Sequence, residues 1–188
     1  MRQMKRTAVI DIDNTLWQFC DALYGELTKG RPDFPPVERW IDAEFWKPFC
    51  STKTFLATID RINSDQNNDR FLPYPEARPF LETLRKEGFR IIIASHRRPE
   101  TRSVTEAWLR RHGLVHDELH LSFDKTVLFD KAAAVVDDAP ATLEQAAACG
   151  ARAAGLLFPW NKAYVNNGFM LFPNLDQVLP YLLAPGPA

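Results

Sequence analysis

The sequence predicts an α/β fold, in which a three-layer Rossmann-like parallel sheet carries a small helical cap inserted after the first strand. Two observations predict this fold. Apolar runs alternate with helical patterns through the C-terminal two thirds of the chain, as in β-α-β units with right-handed crossovers. Residues 17–74 break the alternation, because they are rich in aromatic residues and prolines and show no clean strand pattern. We therefore expect a core domain of residues 1–16 and 75–188 and a helical cap of residues 17–74.

The elements of the core are placed by their apolar patterns and by the signals at their ends. Pro79 and Pro99 mark helix starts, because proline is well tolerated in the first turn of a helix. Gly88, Gly113 and Gly150 mark helix ends. Short apolar runs between these signals predict strands. The expected order is strand 7–12, helix 78–86, strand 89–94, a helix from Pro99 to Gly113, strand 118–122, strand 132–136, helix 141–149 and strand 153–158.

Two carboxylates and a hydroxyl follow the apolar run Thr7-Ala8-Val9-Ile10, in the sequence Asp11-Ile12-Asp13-Asn14-Thr15. Asp11 and Asp13 are two residues apart, so at the end of an extended strand they would lie on the same side of the pleat. Burying both without a counter-charge is costly, so either a metal ion neutralises them or their protons redistribute. Taken alone, the motif is equally typical of a solvated turn after a strand.

Three further polar features fall at the ends of predicted core strands or between them. Ser95 follows strand 89–94, the pair Asp137-Asp138 follows strand 132–136, and Lys125 lies between them in the sequence. A lone serine or lysine at a strand end is usually an ordinary exposed residue. In open α/β sheets, however, ligands bind outside the carboxyl ends of the strands, where all of these features are expected. Their combination indicates a reactive site.

The ordered set Asp11-x-Asp13-x-Thr15, Ser95, Lys125 and Asp137-Asp138 resembles the four motifs of the haloacid dehalogenase (HAD) superfamily of phosphatases and phosphotransferases. Residues 117–140 are also similar to the C-terminal half of the 5'(3')-deoxyribonucleotidases within that superfamily. This similarity favours Lys125 as the motif lysine, although Lys131 lies closer to the aspartate pair in the sequence. The resemblance implies an HAD-like fold and a phosphatase, most specifically a 5'-nucleotidase acting on (deoxy)nucleoside monophosphates.

The resemblance gives each catalytic candidate a chemical part. Asp11 would be the nucleophile that forms an aspartyl-phosphate, which splits one difficult hydrolysis into two easier steps. Asp13 would protonate the leaving oxygen and later take a proton from water, which requires it to be protonated when substrate binds. Ser95 and Lys125 would bind the phosphoryl oxygens. Crowding beside Asp11 favours a raised pKa for Asp13, whereas a metal ion would lower it.

The expected cofactor is Mg²⁺, which prefers oxygen ligands and typically binds one or two carboxylates together with a substrate phosphate. Asp11 and Asp137 suit that role. The resemblance adds the main-chain carbonyl of Asp13 as a ligand, and Asp138 as a ligand through water or as a support for the others.

Aromatic residues in the predicted cap bear on the substrate. Phe19 and the pair Phe45-Trp46 resemble the aromatics that deoxyribonucleotidases place around the base, and stacking suits any base because every base has a π-face. The other candidate substrate-binding residues are Thr15, His96 and Arg97, and Thr15 is also a candidate cap of the next helix. The stretch Asp13-Asn14-Thr15-Leu16-Trp17 also resembles the start of magnesium-dependent phosphatases that act on protein phosphotyrosine or sugar phosphates, and such a phosphatase is the alternative.

Composition narrows the remaining function classes. The chain has 188 residues, a formal net charge of −1 and three widely spaced cysteines, which argues against a broad nucleic-acid surface, a disulfide framework and a zinc site. No apolar run is long enough for a membrane helix and no signal peptide is evident, so we expect a cytoplasmic protein. The expected partner is a small-molecule phosphate monoester, and neither a nucleic-acid polymer nor a membrane is expected. The sequence is also compatible with a homodimer. The alternative of another class is a non-catalytic HAD-fold binding or regulatory protein.

Overall fold

A computed structural model describes residues 6–42, 44–65 and 71–184. Within them, six parallel strands form one sheet in the order β3-β2-β1-β4-β5-β6. The predicted α/β class with a parallel Rossmann-like sheet is therefore confirmed. The strands are β1 (Thr7–Ile10), β2 (Arg90–Ser95), β3 (Glu118–Leu121), β4 (Ala132–Val136), β5 (Arg152–Leu156) and β6 (Met170–Phe172). The helices are α1 (Phe19–Gly30), α2 (Thr52–Ser64), α3 (Ala77–Lys86), α4 (Arg102–Arg111), α5 (Pro140–Ala148) and α6 (Leu175–Leu183).

The central strands are buried on both faces, which explains why they read as continuous apolar runs rather than as alternating ones. Successive side chains point to opposite faces of the sheet. Val9, Ile92 and Val135 belong to one apolar cluster, whereas Ile10 and Ile93 belong to the larger cluster on the other face. The sheet is therefore the middle of three layers, as the sequence predicts.

The register of the sheet decides which side chains meet at its carboxyl edge. Ile10 of β1 is level with Ile93 of β2 and with Val136 of β4. The main-chain N–H of Asp11 continues this ladder and donates to the carbonyl of Val136 at 2.9 Å. The residues that follow Ile10 and Val136 therefore come together at one edge, beside the end of β2.

Residues 17–74 contain α1, α2 and a 3₁₀ helix at Val37–Arg39, and no extended strand occurs among those the structure describes. Trp17 pairs with Pro73 in an isolated antiparallel bridge, and the N–H of Tyr74 donates to the carbonyl of Leu16 at 2.8 Å. This 17–74 segment therefore leaves the sheet and returns to it at neighbouring points. Its predicted role as a cap remains an expectation.

Strand β6 and helix α6 are not among the elements that the sequence predicts. Strand β6 has only three residues, at the edge of the sheet, and α6 contains Pro180, which interrupts a helical pattern. Within the described ranges, no helix has the length and apolar character that crossing a membrane requires.

Candidate active site

Asn14, in the tight turn after β1, links the segment that carries Asp11 and Asp13 to the pair Asp137-Asp138. Asn14 has a φ of 58° and is the one non-glycine residue with positive φ among those described. Asparagine tolerates this left-handed conformation better than most residues. Its Nδ2 donates to Asp138 Oδ2 at 3.1 Å, and its Oδ1 accepts the main-chain N–H of Cys20 at 2.9 Å. Asn14 thus joins the β1 turn, the start of α1 and the acid pair.

Asp11, Asp137 and Asp138 form the candidate metal centre. One carboxylate oxygen from each lies within 4.8 Å of the others, and Asp11 and Asp137 are almost fully buried. Burial raises the pKa of Asp11 well above its usual range, against the attraction of Lys125. Burial, followed by repulsion from Asp137, raises the pKa of Asp138 to about 7. The cluster is therefore short of positive charge.

Lys125 lies inside this cluster. Its Nζ donates to Asp11 Oδ1 at 2.5 Å and to Asp137 Oδ2 at 2.8 Å, and the side chain is only 3 % exposed. Burial alone would lower the pKa of Lys125, but the two carboxylates raise it, so the amine stays charged. Lys131 is exposed and directly precedes β4, at the opposite end of that strand from Asp137. The fold brings Lys125 to the acids and leaves Lys131 away from them.

Asp13 is held by an arginine that the sequence alone suggests only as a substrate-binding residue. Arg97 donates to Asp13 Oδ2 from Nε at 2.9 Å and to Oδ1 from Nη2 at 2.6 Å. Trp17 Nε1 and Ser95 Oγ donate to the same carboxylate at 2.8 Å and 3.2 Å. Burial alone would raise the pKa of Asp13, but the charge and hydrogen bonds of Arg97, together with the Trp17 hydrogen bond and the charge of Lys125, outweigh it, and the pKa is lowered. Crowding beside Asp11, which favours a raised pKa for Asp13, is therefore not the dominant influence on that pKa.

The other polar candidates have distinct surroundings. Ser95 is buried at the end of β2 and donates to Asp13. Thr15 is fully buried, and its Oγ1 has no hydrogen-bond partner within the described part of the chain. It does not cap α1, because Gln18 holds the N-cap position of that helix. His96 is exposed beside the acid cluster.

The three predicted aromatics separate into two groups. Phe19, at the start of α1, lines a cleft together with Asp13, His96 and Arg97. Phe45 instead stacks on Trp40 with ring centroids 4.0 Å apart, and Trp46 stacks on Phe55 at 4.5 Å. Phe45 and Trp46 therefore pack the 17–74 segment and do not line the cleft above Asp13.

Two residues that are not among the predicted site residues hold the loop that carries Asp137 and Asp138. Asn161 is fully buried, and its Nδ2 donates to the carbonyls of Asp138 and Leu156 at 3.0 Å and 2.9 Å. At Gly155, a Cβ atom would lie 2.1 Å from the carbonyl oxygen of Asp137, so no side chain fits there. A glycine inside the predicted strand 153–158 is a sequence signal of such close approach, whereas an isolated asparagine such as Asn161 gives no such signal.

No protein-family model matches the sequence, and no curated protein matches it either. Solved structures do match the fold. A predicted phosphoglycolate phosphatase from Haemophilus somnus superposes with a TM-score of 0.66 at 16% identity, covering 95% of this chain and 98% of that one. A haloacid dehalogenase-like family hydrolase from Streptococcus pneumoniae gives 0.65 at 16% identity, over 95% and 99%. D,D-heptose 1,7-bisphosphate phosphatase from Burkholderia thailandensis gives 0.57 at 13% identity, over 96% and 100%. These likenesses show that the chain has the α/β, Rossmann-like fold of the haloacid dehalogenase-like hydrolases.

Proposed function

We propose that the protein is a Mg²⁺-dependent phosphate monoester hydrolase that works through an aspartyl-phosphate on Asp11. One observation carries the proposal: the carboxylate of Asp11 lies against the ammonium of Lys125 and beside the pair Asp137-Asp138. A phosphoryl-transfer site must neutralise the charge of the phosphate and hold it in line with the nucleophile. The two cations Lys125 and Arg97 and the metal-binding acids supply those functions. The solved phosphatases with this fold are consistent with it, although a fold does not by itself establish an activity.

The donor set at the acid cluster fits Mg²⁺. All three groups are carboxylates, which are hard oxygen ligands, and neither histidine nor cysteine belongs to the cluster in the described chain. Asp11 and Asp137 would hold the ion directly with the carbonyl of Asp13, while Asp138 would act through water or support the others. When bound, Mg²⁺ supplies positive charge that stabilises the transferring phosphoryl group.

The reaction divides into two displacements. In the first, a carboxylate oxygen of Asp11 forms a bond to phosphorus, the bond to the ester oxygen breaks, and that oxygen takes a proton from Asp13. In the second, water attacks the aspartyl-phosphate, Asp13 accepts its proton, and Asp11 is regenerated. Asp13 must be protonated for the first step, which its ion pair with Arg97 opposes. The negative charge of an arriving phosphate acts in the other direction and raises the pKa of Asp13.

The substrate we favour is a nucleoside or deoxynucleoside 5'-monophosphate. The supporting observation is that Phe19 lines the cleft above Asp13, so that a base bound in the cleft would lie beside an aromatic side chain. Phe45 and Trp46 lend no support, because both are packed inside the 17–74 segment.

Phosphate release from nucleoside monophosphates, sugar phosphates and tyrosine phosphate tests the proposal. Each substrate is assayed with Mg²⁺ and with a chelator, and the Asp11→Asn protein serves as the blank. We expect Mg²⁺-dependent release that is greatest for nucleotides and absent from Asp11→Asn. Sugar-selective or tyrosine-selective release would keep the mechanism and remove the nucleotidase assignment. No release above the blank would favour a non-catalytic binding protein.

A further inference from the structure

A cleft of about 360 Å³ opens beside Asp13, between α2 and the loops that follow β2 and β3. Of the four acids at the site, Asp13 is the one that lines this cleft within the described residues. Asp13 is also the acid assigned to the leaving oxygen, so the cleft lies where the leaving group would extend. The lining residues used below are Phe19, Leu56, Ile59, Asn63 and Phe123.

The cleft exposes apolar side chains on both of its sides. Phe123, two residues before Lys125, is 73% exposed, and Leu56 of α2 is 46% exposed. A single exposed apolar residue needs no explanation, but several that converge on one concave site are typical of a ligand pocket. The volume lies near the lower end of the range of about 300–1,000 Å³ for such pockets. It suits one ring-bearing group rather than a polymer.

Asn63 supplies an independent sign of a ligand. Its side chain is buried, with 5% exposure, and it lines the cleft from the last turn of α2. Its Oδ1 has no hydrogen-bond partner in the described part of the protein. A buried acceptor without a donor is destabilising, so native proteins seldom keep one without a reason. A donor on a molecule held in the cleft would satisfy it.

We propose that this cleft is the leaving-group subsite, and that it selects a flat aromatic ring carrying an N–H or O–H donor. The inference rests on the proposed phosphatase function. The ring packs between Leu56 and Phe123, next to Phe19, and its donor pairs with Asn63 Oδ1. Nucleobases and hydroxylated or aminated aryl groups share this chemistry. Phe123 and Asn63 are therefore specificity residues, and they take over the role that the sequence suggests for Phe45 and Trp46.

Steady-state kinetics with four esters test the subsite. The esters are guanosine 5'-monophosphate and 4-hydroxyphenyl phosphate, whose rings carry an N–H or O–H donor, phenyl phosphate, whose ring carries none, and glycerol phosphate, which has neither an aromatic ring nor an N–H group. Phe123→Ala should raise KM about tenfold for the three ring esters and leave glycerol phosphate unchanged. Asn63→Leu should raise KM about fivefold for at least one donor-bearing ring ester and leave phenyl phosphate unchanged.

Val127→Ala is the matched control. Val127 is 67% exposed, close to Phe123 in the chain, and does not line the cleft. It should leave all four KM values unchanged. A KM that rises equally for glycerol phosphate and the ring esters, or an equal effect of Val127→Ala and Phe123→Ala, would overturn the subsite. The donor-bearing ester with the lower KM identifies whether a nucleobase or an aryl group is the natural source of the ring.

Binding of the ring compounds without phosphate separates this inference from the proposed function. Calorimetry with guanosine and with phenol needs no turnover, so it remains decisive if the wild-type protein releases no phosphate from any ester. Weaker binding to Phe123→Ala than to wild type, with Val127→Ala unaffected, would support the subsite even then. Absence of binding, or equal binding to all three proteins, would refute it.

Discussion

Replacing Arg97 by methionine should cost about 3 kcal/mol of the free energy of unfolding. The side chains of Arg97 and Asp13 are only 1% and 21% exposed, and two hydrogen bonds join them. Removing one partner of a buried ion pair leaves the other charge uncompensated, which costs about 3–5 kcal/mol. Asp13 keeps its hydrogen bonds from Trp17 and Ser95 and is partly exposed, so we expect the lower end of that range.

Urea denaturation of the metal-free protein measures this cost, and the neighbouring residue provides the control. Arg98 pairs with Asp60 at 3.0 Å, but the two side chains are 54% and 43% exposed. An exposed pair contributes between about 0 and 1 kcal/mol, so Arg98→Met should change stability by less than about 1 kcal/mol. In thermal unfolding, the loss at Arg97 should lower Tm by roughly 6–12 °C, at about 2–4 °C per kcal/mol for a chain of this length.

A double variant tests whether the unpaired charge of Asp13 causes the loss of stability in Arg97→Met. If the unpaired charge of Asp13 is responsible, then adding Asp13→Asn to Arg97→Met should recover at least about 1 kcal/mol, because the amide needs no counter-charge. Equal losses for Arg97→Met and Arg98→Met, or no recovery in the double variant, would refute the reasoning from burial.

Three further predictions follow from the site. Lys125→Met should lower kcat for phosphate release at least about 100-fold, since a charged donor to the reacting group is lost, whereas Lys131→Met should leave kcat unchanged. Gly155→Ala should lose more than about 2 kcal/mol in urea denaturation, because its Cβ would lie 2.1 Å from the Asp137 carbonyl. Gly25→Ala should instead gain about 0.5–1 kcal/mol, because a Cβ added at this position in α1 would meet no atom within 4 Å outside its own stretch of helix. A larger loss for Gly25→Ala than for Gly155→Ala would contradict the close-approach argument. Mg²⁺ at about 100 times its Kd should stabilise the protein by about 2.7 kcal/mol, and Asp137→Asn should lose that increment in a thermal melt; equal stabilisation of both proteins would place the ion elsewhere.

The parts of the fold that the sequence predicts well are those where one physical signal dominates. The strand 132–136 agrees with β4 at both ends, because an apolar run stops abruptly at two acids. The first strand is predicted two residues too long, since Ile12 is buried in the turn after Ile10 rather than in the ladder. Strand β6 cannot be predicted from the sequence, because three residues at a sheet edge carry too little periodicity.

Some features of the candidate site can likewise be predicted from the sequence, and others cannot. Asp11 and Asp137 were expected to meet, because parallel strands bring their carboxyl ends to one edge of the sheet. The ionisation of Asp13 depends on Arg97, whose side chain reaches it from the loop after β2, and no local pattern in the sequence encodes that approach. The sequence also does not show which aromatic residues of the 17–74 segment pack its interior and which line the cleft. Packing and ligand contact use the same residue types, so only the three-dimensional arrangement separates Phe19 from Phe45.

Lys125 between Asp11 and Asp137 has a consequence for the order in which ligands bind. With every group ionised, the four carboxyl groups of Asp11, Asp13, Asp137 and Asp138 exceed the two cations Lys125 and Arg97 by two negative charges, and a divalent ion matches that excess. A phosphate dianion that arrived first would meet a negative surface and be repelled. We therefore expect ordered association, in which the divalent metal ion binds before the ester. The association rate of the ester should rise as the metal ion saturates its site.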